Sequence, residues 1–216
     1  MSLIYREYQK SDGDFIKKLI DESFHLGSYV GDKSVLASWL NVYLYSCLAE
    51  QTFTCVAEND GEILGVIMGK AQGDYKFARH LKPAIALSYH TLAMGIKGKI
   101  RQVDSGDNRR MHKIYSQLIQ ESGEKFDGVL TLFAVSKDSQ GLGIGKELLR
   151  RLLIYEKNHG ATNIYLHTDS ACNYGFYESR GFVRLGAKEV AFTGVNAQKK
   201  LDVYLYSYNL RTPRQE

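Results

Sequence analysis

Several features are missing from this chain, and each absence removes a class of protein. No run approaches the ~18 apolar residues of a membrane-spanning helix. The most apolar stretch of the middle, 81–100, is interrupted by Pro83, His90, Lys97 and Lys99. No charged-then-apolar leader opens the sequence, so no secretory signal is expected. Cysteine is scarce: the three residues, Cys47, Cys55 and Cys172, form an odd set without Cys-x-x-Cys spacing. That suits a reducing, cytoplasmic setting and argues against a disulfide scaffold. The six histidines show no His-Glu-x-x-His or paired-ligand spacing, so no metal site is expected. Internal repeats, low-complexity tracts and linkers are absent. The excess of positive charge is small, +4. Its densest patch, Lys97, Lys99 and Arg101 with Arg109 and Arg110, lies among Asp104 and Asp107. It reads as a solvated loop, since a nucleic-acid surface needs a longer stripe with interleaved aromatics.

What remains is ordinary globular protein: 216 residues, 44% hydrophobic and 24% charged, enough for one sizeable core in a single domain over 1–216. Leu3 to Tyr8 alternates as a first strand. Ser11 or Asp12 can cap a helix through about Phe24. A second helix, Lys33 to Leu48, carries Val35, Leu36, Trp39, Leu40, Tyr43 and Leu44 at helical spacing. Thr52 to Ala57 and Ile63 to Met68 form a hairpin over Asn59-Asp60-Gly61. The stretch 72–127 reads as two helices, near Phe77–Ile96 and Arg110–Lys125, the second striped by Met111, Ile114, Tyr115, Leu118 and Ile119.

The strongest signal follows. Val129 to Val135 is a short apolar run rich in β-formers. Gln140-Gly141-Leu142-Gly143-Ile144-Gly145-Lys146 comes next and opens an amphipathic helix with Leu148, Leu149, Leu152 and Leu153 on one face. A glycine-rich turn at a helix start leaves N–H groups unpaired and adds the positive end of the dipole, a device for holding phosphate. The loop is neither a Walker A motif, since Gln140 and Glu147 break it, nor a dinucleotide fingerprint, whose third glycine falls on Lys146.

Gln140, Gly143 and Gly145 fit Gln/Arg-x-x-Gly-x-Gly/Ala instead, which resembles the pyrophosphate loop of the GNAT-type N-acetyltransferase superfamily. A second segment strengthens this. Asn163 to Thr168 reads as a strand, Cys172 to Arg180 as a short helix ended by Gly181. Its run Tyr177-Glu178-Ser179-Arg180-Gly181-Phe182 resembles that superfamily's Tyr-Glu-x-x-Gly-Phe signature. Two closing strands, Phe182–Phe192 and Leu201–Tyr208, flank a loop from Thr193 to Lys200. The resemblance implies an α/β (α+β) fold: a mixed, mostly antiparallel twisted sheet flanked by helices. Here 72–127 is a helical insertion between the third and fourth strands, serving as a structural layer, a dimer contact or a lid.

It also implies acetyl-coenzyme A as cosubstrate and transfer of its acetyl group to a primary amine by direct attack. The amides of Gln140, Gly141, Leu142, Gly143, Ile144, Gly145 and Lys146 would hold the pyrophosphate. The pantetheine arm would pair with the edge of Phe133, Ala134 and Val135, one of whose amides would face the oxyanion, and Asn173 would reach the pantetheine amides. Lys146, Arg150 or Arg180 would neutralise phosphate charge. Tyr177 would protonate the departing thiolate, and Cys172 would not act as a nucleophile. The base stays open, because Val129 to Val135 holds no acid: Glu124, Asp127, His112, His167, Asp169 and a water relay are all candidates. A small-molecule amine is the expected acceptor, with a protein N-terminus or lysine, or a non-catalytic acyl-coenzyme A sensor, as alternatives. No nucleic-acid or membrane partner is expected; the oligomeric state, with a homodimer as one option, stays open.

Overall fold

The computed structural model describes residues 3–24, 27, 32–74, 77–96, 105–193 and 198–211. Its seven strands are β1 (Leu3–Arg6), β2 (Phe53–Asn59), β3 (Glu62–Ala71), β4 (Gly128–Val135), β5 (Asn163–Asp169), β6 (Val183–Thr193) and β7 (Gln198–Asn209). They form one sheet in the order β1-β2-β3-β4-β5-β7-β6. Every neighbouring pair is antiparallel except β4 and β5, so the expected mixed, mostly antiparallel sheet is present. Helices α1 (Gly13–Phe24), α2 (Lys33–Glu50), α3 (Phe77–Ile96), α4 (Ser105–Ser122), α5 (Ile144–Asn158) and α6 (Gly175–Glu178) flank it.

Local chemistry explains most boundaries. The β2–β3 turn needs two left-handed residues and has them, Asp60 at φ 50° and Gly61 at φ 86°, the pattern of a two-residue hairpin loop. Asp32 caps α2 by accepting from the amides of Ser34 and Val35 at 2.7 and 3.1 Å. Asp12 does not cap α1 as expected. Its carboxylate accepts from the Gln9 amide and from the Arg6 guanidinium, which also holds Glu58. The first strand stops at Arg6, short of Tyr8. α4 begins before Arg110 and ends at Ser122, and the last two strands extend into the stretch read as a loop, whose residues 194–197 lie outside those described.

The sheet buries different residues on its two faces. α1 and α2 cover one face with Ile16, Ile20, Leu44, Val56, Val66, Met68, Leu132 and Ala134. α5 and α6 cover the other with Ile67, Leu130, Leu148, Leu152, Ile164, Leu166 and Tyr177. Leu130 and Leu132 are two apart yet face opposite sides. Side chains alternate strictly along a regular strand, so an extra residue must intervene. The β3 partners of Leu132 and Leu130 are the consecutive residues Met68 and Gly69, leaving Thr131 as a bulge on β4.

The two helices between β3 and β4 fill separate places. α3 lies along α2, with Tyr45 stacked on His90 at 4.8 Å. α4 seats its stripe on β6 and β7, where Leu118 packs with Val190, Val203 and Leu205. The fit is close at Gly186, where a Cβ would come within 3.0 Å of Leu118 Cδ2. Lys188 of β6 reaches Glu121 of α4 at 2.7 Å. Among the described residues no helix is long and apolar enough to cross a membrane.

One charged residue falls on an apolar face. Glu156 sits one helical step beyond Leu149, Leu152 and Leu153, is fully buried, and both its carboxyl oxygens lack a hydrogen-bond partner among the described residues. Its carboxyl lies against the bare Cα of Gly128. Burial, then the nearby charge of Asp127, pushes it up to about 8. The folded state therefore binds a proton that the unfolded chain releases near 4.5. Stability is full below that value and falls as pH rises towards 8, at about 1.4 kcal/mol per pH unit within the window. Glu156→Gln is expected to flatten the dependence of melting temperature on pH between 5 and 8. An equal slope in both proteins assigns the dependence to other groups.

Candidate active site

The glycine loop is built as its sequence demands. After a 3-10 turn over Lys137–Ser139, Gly141 and Gly143 adopt left-handed conformations, φ 85° and 78°, and Gly143 is the N-cap of α5. Ile144 drops into the core at 1% exposure while Leu142 stays 66% exposed. The amides of Ile144, Gly145 and Lys146 open the helix and have no carbonyl one turn earlier to bond. At Gly145 a Cβ would stand 3.3 Å from the Phe133 ring and 3.4 Å from Phe176. Loop, β4 and α6 meet there. Arg150 and Arg151 are both engaged with Glu147, at 2.7 and 2.8 Å, and Arg180 lies over the Phe176 ring at 4.2 Å.

α6 is one turn, Gly175–Glu178, shorter than the span Cys172 to Arg180 read from sequence. It presents Tyr177 inward, 8% exposed, with its ring 6.2 Å from Phe133 and 5.6 Å from Phe182. Burial, with the Cys172 thiol adding to it, pushes the phenol well up, so the group keeps its proton at neutral pH. A polar clasp fixes this turn. Glu178 accepts from the Tyr206 hydroxyl at 2.7 Å and from Arg184 at 2.5 Å, and Arg184 lies 4.1 Å over the Tyr204 ring. Asn173 is exposed just before the turn, its carbonyl accepting from the Phe176 amide.

Between loop and tyrosine the sheet opens. β4 and β5 share only two rungs, Gly128 with Ile164 and Val129 with Tyr165, and then part. The Ser136 amide donates to the Leu64 carbonyl on the β3 side. By strand alternation the Ala134 amide points the same way, and those of Phe133 and Val135 turn towards the gap. Tyr43 of α2, Tyr115 of α4, Cys172 and Tyr177 lie near enough to one another for their charges to interact. The Cys172 thiol is pushed up to about 11 by burial and by Asp169, which leaves it protonated. His167 stacks on Tyr115 at 4.2 Å, and burial lowers it to about 4, so its ring is neutral at pH 7.

The carboxylates near these elements are occupied. Asp127 accepts from the Thr162 amide and hydroxyl and from the Asn163 amide. Burial works against its charge, yet those bonds hold its carboxyl below the usual range. Glu124 is exposed and accepts from Asn163 at 3.3 Å. Asp169 accepts from the Ala171 amide at 2.8 Å. His112 is exposed on α4. The sequence reading missed Thr131 and the convergence of Tyr43 with Tyr115. Both tyrosines stood in apolar helix stripes, which gave no sign that the helices meet over one gap. A separate groove of about 430 Å³ lies behind α5, between Tyr5, Phe53 and Tyr155. Its cations are committed, Arg6 to Asp12 and Glu58, Arg150 and Arg151 to Glu147.

The open parallel seam, the glycine loop and the buried Tyr177 thus lie side by side. Residues 111–184 match the acetyltransferase (GNAT) domain family. No curated protein sequence matches the chain. Solved structures share the whole fold. An N-acetyltransferase from Staphylococcus aureus is 15% identical, with a TM-score of 0.52 over 98% of this chain and 100% of that one. The ribosomal-protein-S18-alanine N-acetyltransferase from Escherichia coli is 12% identical, with a TM-score of 0.53 over 99% and 97%. A protein from Salmonella typhimurium solved with its cofactor acetyl-CoA is 17% identical, with a TM-score of 0.53 over 100% and 98%. The chain thus shares the fold of these acetyltransferases, and the match to the acetyltransferase (GNAT) domain runs from α4 to the start of β6.

Gly143→Ala places a side chain in the left-handed region, at a cost of about 1–2 kcal/mol. It is expected to lower the unfolding free energy by that amount in denaturant titration. A smaller loss means the loop relaxes into another conformation.

Proposed function

We propose that the protein is an N-acetyltransferase that moves the acetyl group of acetyl-CoA to a primary amine of a small molecule, by direct attack within a ternary complex. The observation that carries this reading is the β4–β5 seam, open from Leu130 onward, with unpaired loop amides at one side and the Tyr177 phenol at the other. Acetyl-CoA supplies the activated acyl carbon; the chain supplies the rest. The amides of Gly141 to Lys146 hold the pyrophosphate at the positive end of α5; that of Gln140, counted with them from the sequence, donates instead to the Lys137 carbonyl at 3.2 Å. The edge of Phe133, Ala134 and Val135 pairs with the pantetheine arm, and Asn173 stands at the mouth for its amides. The Phe133 or Val135 N–H faces the oxyanion, a contribution of about 10²–10³ in rate for such a donor.

Tyr177 donates the proton that the departing thiolate needs. A phenol that stays protonated at neutral pH is suited to that task, and the protonated Cys172 is not suited to attack. We read 1–216 as one domain working in a reducing cytosol, with 72–127 as its inserted layer. The single sheet and the seating of α3 and α4 on its neighbours support that.

Thermal unfolding with acetyl-CoA, coenzyme A, ATP and NAD tests the reading. About 2.7 kcal/mol of stabilisation is expected at ~100 times the dissociation constant for the two coenzyme A species, and none for the others. No shift with either would overturn it, while a shift without thiol release to any amine would indicate a sensor. Tyr177→Phe is expected to lower kcat about 10²-fold or more with acetyl-CoA affinity unchanged. An unaltered kcat would remove Tyr177 from the chemistry.

A further inference from the structure

Two buried polar atoms on the strands that flank the β4–β5 gap have no partner among the described residues, the Thr131 hydroxyl on β4 and His167 Nε2 on β5. They belong together. Carrying the two rungs Gly128–Ile164 and Val129–Tyr165 forward sets Thr131 opposite His167, where the strands have already parted. Leaving such groups unbonded in a protein interior is costly, and buried polar groups normally have partners. The groups that face the same space are unsuited to take a proton. Tyr43 on α2, Tyr115 on α4 and Tyr177 on α6 are held protonated by burial, as is the Cys172 thiol. Asp169 is turned to the Ala171 amide. Among the described residues around the gap, the imidazole of His167 is left with a bare lone pair.

From this geometry, and resting on the reading of the site as an acetyltransferase, we infer that Thr131 and His167 form the floor of the acceptor subsite and that His167 Nε2 receives the proton of the attacking amine. A primary ammonium group offers three N–H donors. One meets Nε2 and a second meets the Thr131 hydroxyl, so the nitrogen is held between the strands facing the acyl carbon. Nε2 takes one proton, the freed lone pair forms the C–N bond, and the C–S bond breaks. The departing thiolate takes the Tyr177 proton, the second excess proton on the new amide nitrogen passes to the Tyr177 phenolate, and the imidazolium returns its own to solvent. Tyr115, stacked on the ring at 4.2 Å, fixes the orientation of His167 and is a positioning residue. It is supplied by the inserted helix α4, so the insertion completes the acceptor side of the site.

Histidine-labelled ¹⁵N NMR of the whole protein tests the ring directly. The expected result is a neutral His167 with its proton on Nδ1 and Nε2 bare, unchanged from pH 8 down to about 5. A proton on Nε2, or ordinary titration near 6.5, overturns the inference.

Kinetics supply the second arm, with thiol release from acetyl-CoA to ethylamine, tyramine and spermidine. His167→Gln is expected to lower kcat/KM about 10²-fold or more while the acetyl-CoA thermal shift stays intact, and added imidazole to restore part of the rate to His167→Ala. Thr131→Val is expected to raise the KM for the amine severalfold. Full activity in His167→Gln overturns this inference and leaves the acetyltransferase reading standing. Absence of an acetyl-CoA shift in the unmodified protein overturns both. A shift with no turnover of any of the three amines overturns the proton-acceptor role.

Discussion

The site depends on a ladder of hydrogen bonds that stops early. β4 and β5 are the one parallel pair in the sheet, and parallel strands held by two rungs are free to diverge. The bulge at Thr131 begins the divergence, because an extra residue bends and twists its strand. It also exchanges the faces of β4, sending Leu130 towards α5 and Leu132 towards α2. Both helical layers anchor the same strand on either side of the bulge, and the gap is held open by packing on its two flanks.

The insertion acquires a clearer role in that setting. The C-terminal arm of the sheet, β5, β7 and β6, would otherwise show an apolar face of Val190, Val203 and Leu205. α4 covers it. In doing so it brings Tyr115 over the ring of His167, so one helix both buries a sheet face and packs on a histidine of β5. α3 stands further out, along α2.

Features with strict local geometry were legible in the sequence. The left-handed glycines of the loop before α5, the Asp60-Gly61 hairpin and the alternation of β7 each leave a pattern that few other structures share. The stripe of α4 was equally plain, and it lands on a core. What stayed hidden depends on register between distant segments. Thr131 looks like any threonine in a β-rich run, and nothing near it says that the strand gains a residue there. His167 and Thr131 are separated by the whole of α5, and only the ladder that nearly joins them puts them face to face. Glu156 was visible in principle, one step along the apolar stripe of Leu149, Leu152 and Leu153, but its burial follows from two distant glycines, Gly69 and Gly128, that leave room for it. Asp12 misled for a similar reason, since its partner Arg6 lies on another element.

The state of the cysteines has a consequence for the life of the product. On the proposed reading the site releases a free thiol beside Cys172, which invites thiol–disulfide exchange, in which the attacking species is always a thiolate. Cys172 is pushed up to about 11, Cys47 to about 12, and Cys55, also buried, is raised as well. At neutral pH almost none of these sulfurs is ionised. The protein can therefore work in repeated contact with its own leaving group under mild oxidation without being capped by it. The reactive sulfur in the pocket belongs to the product, which departs.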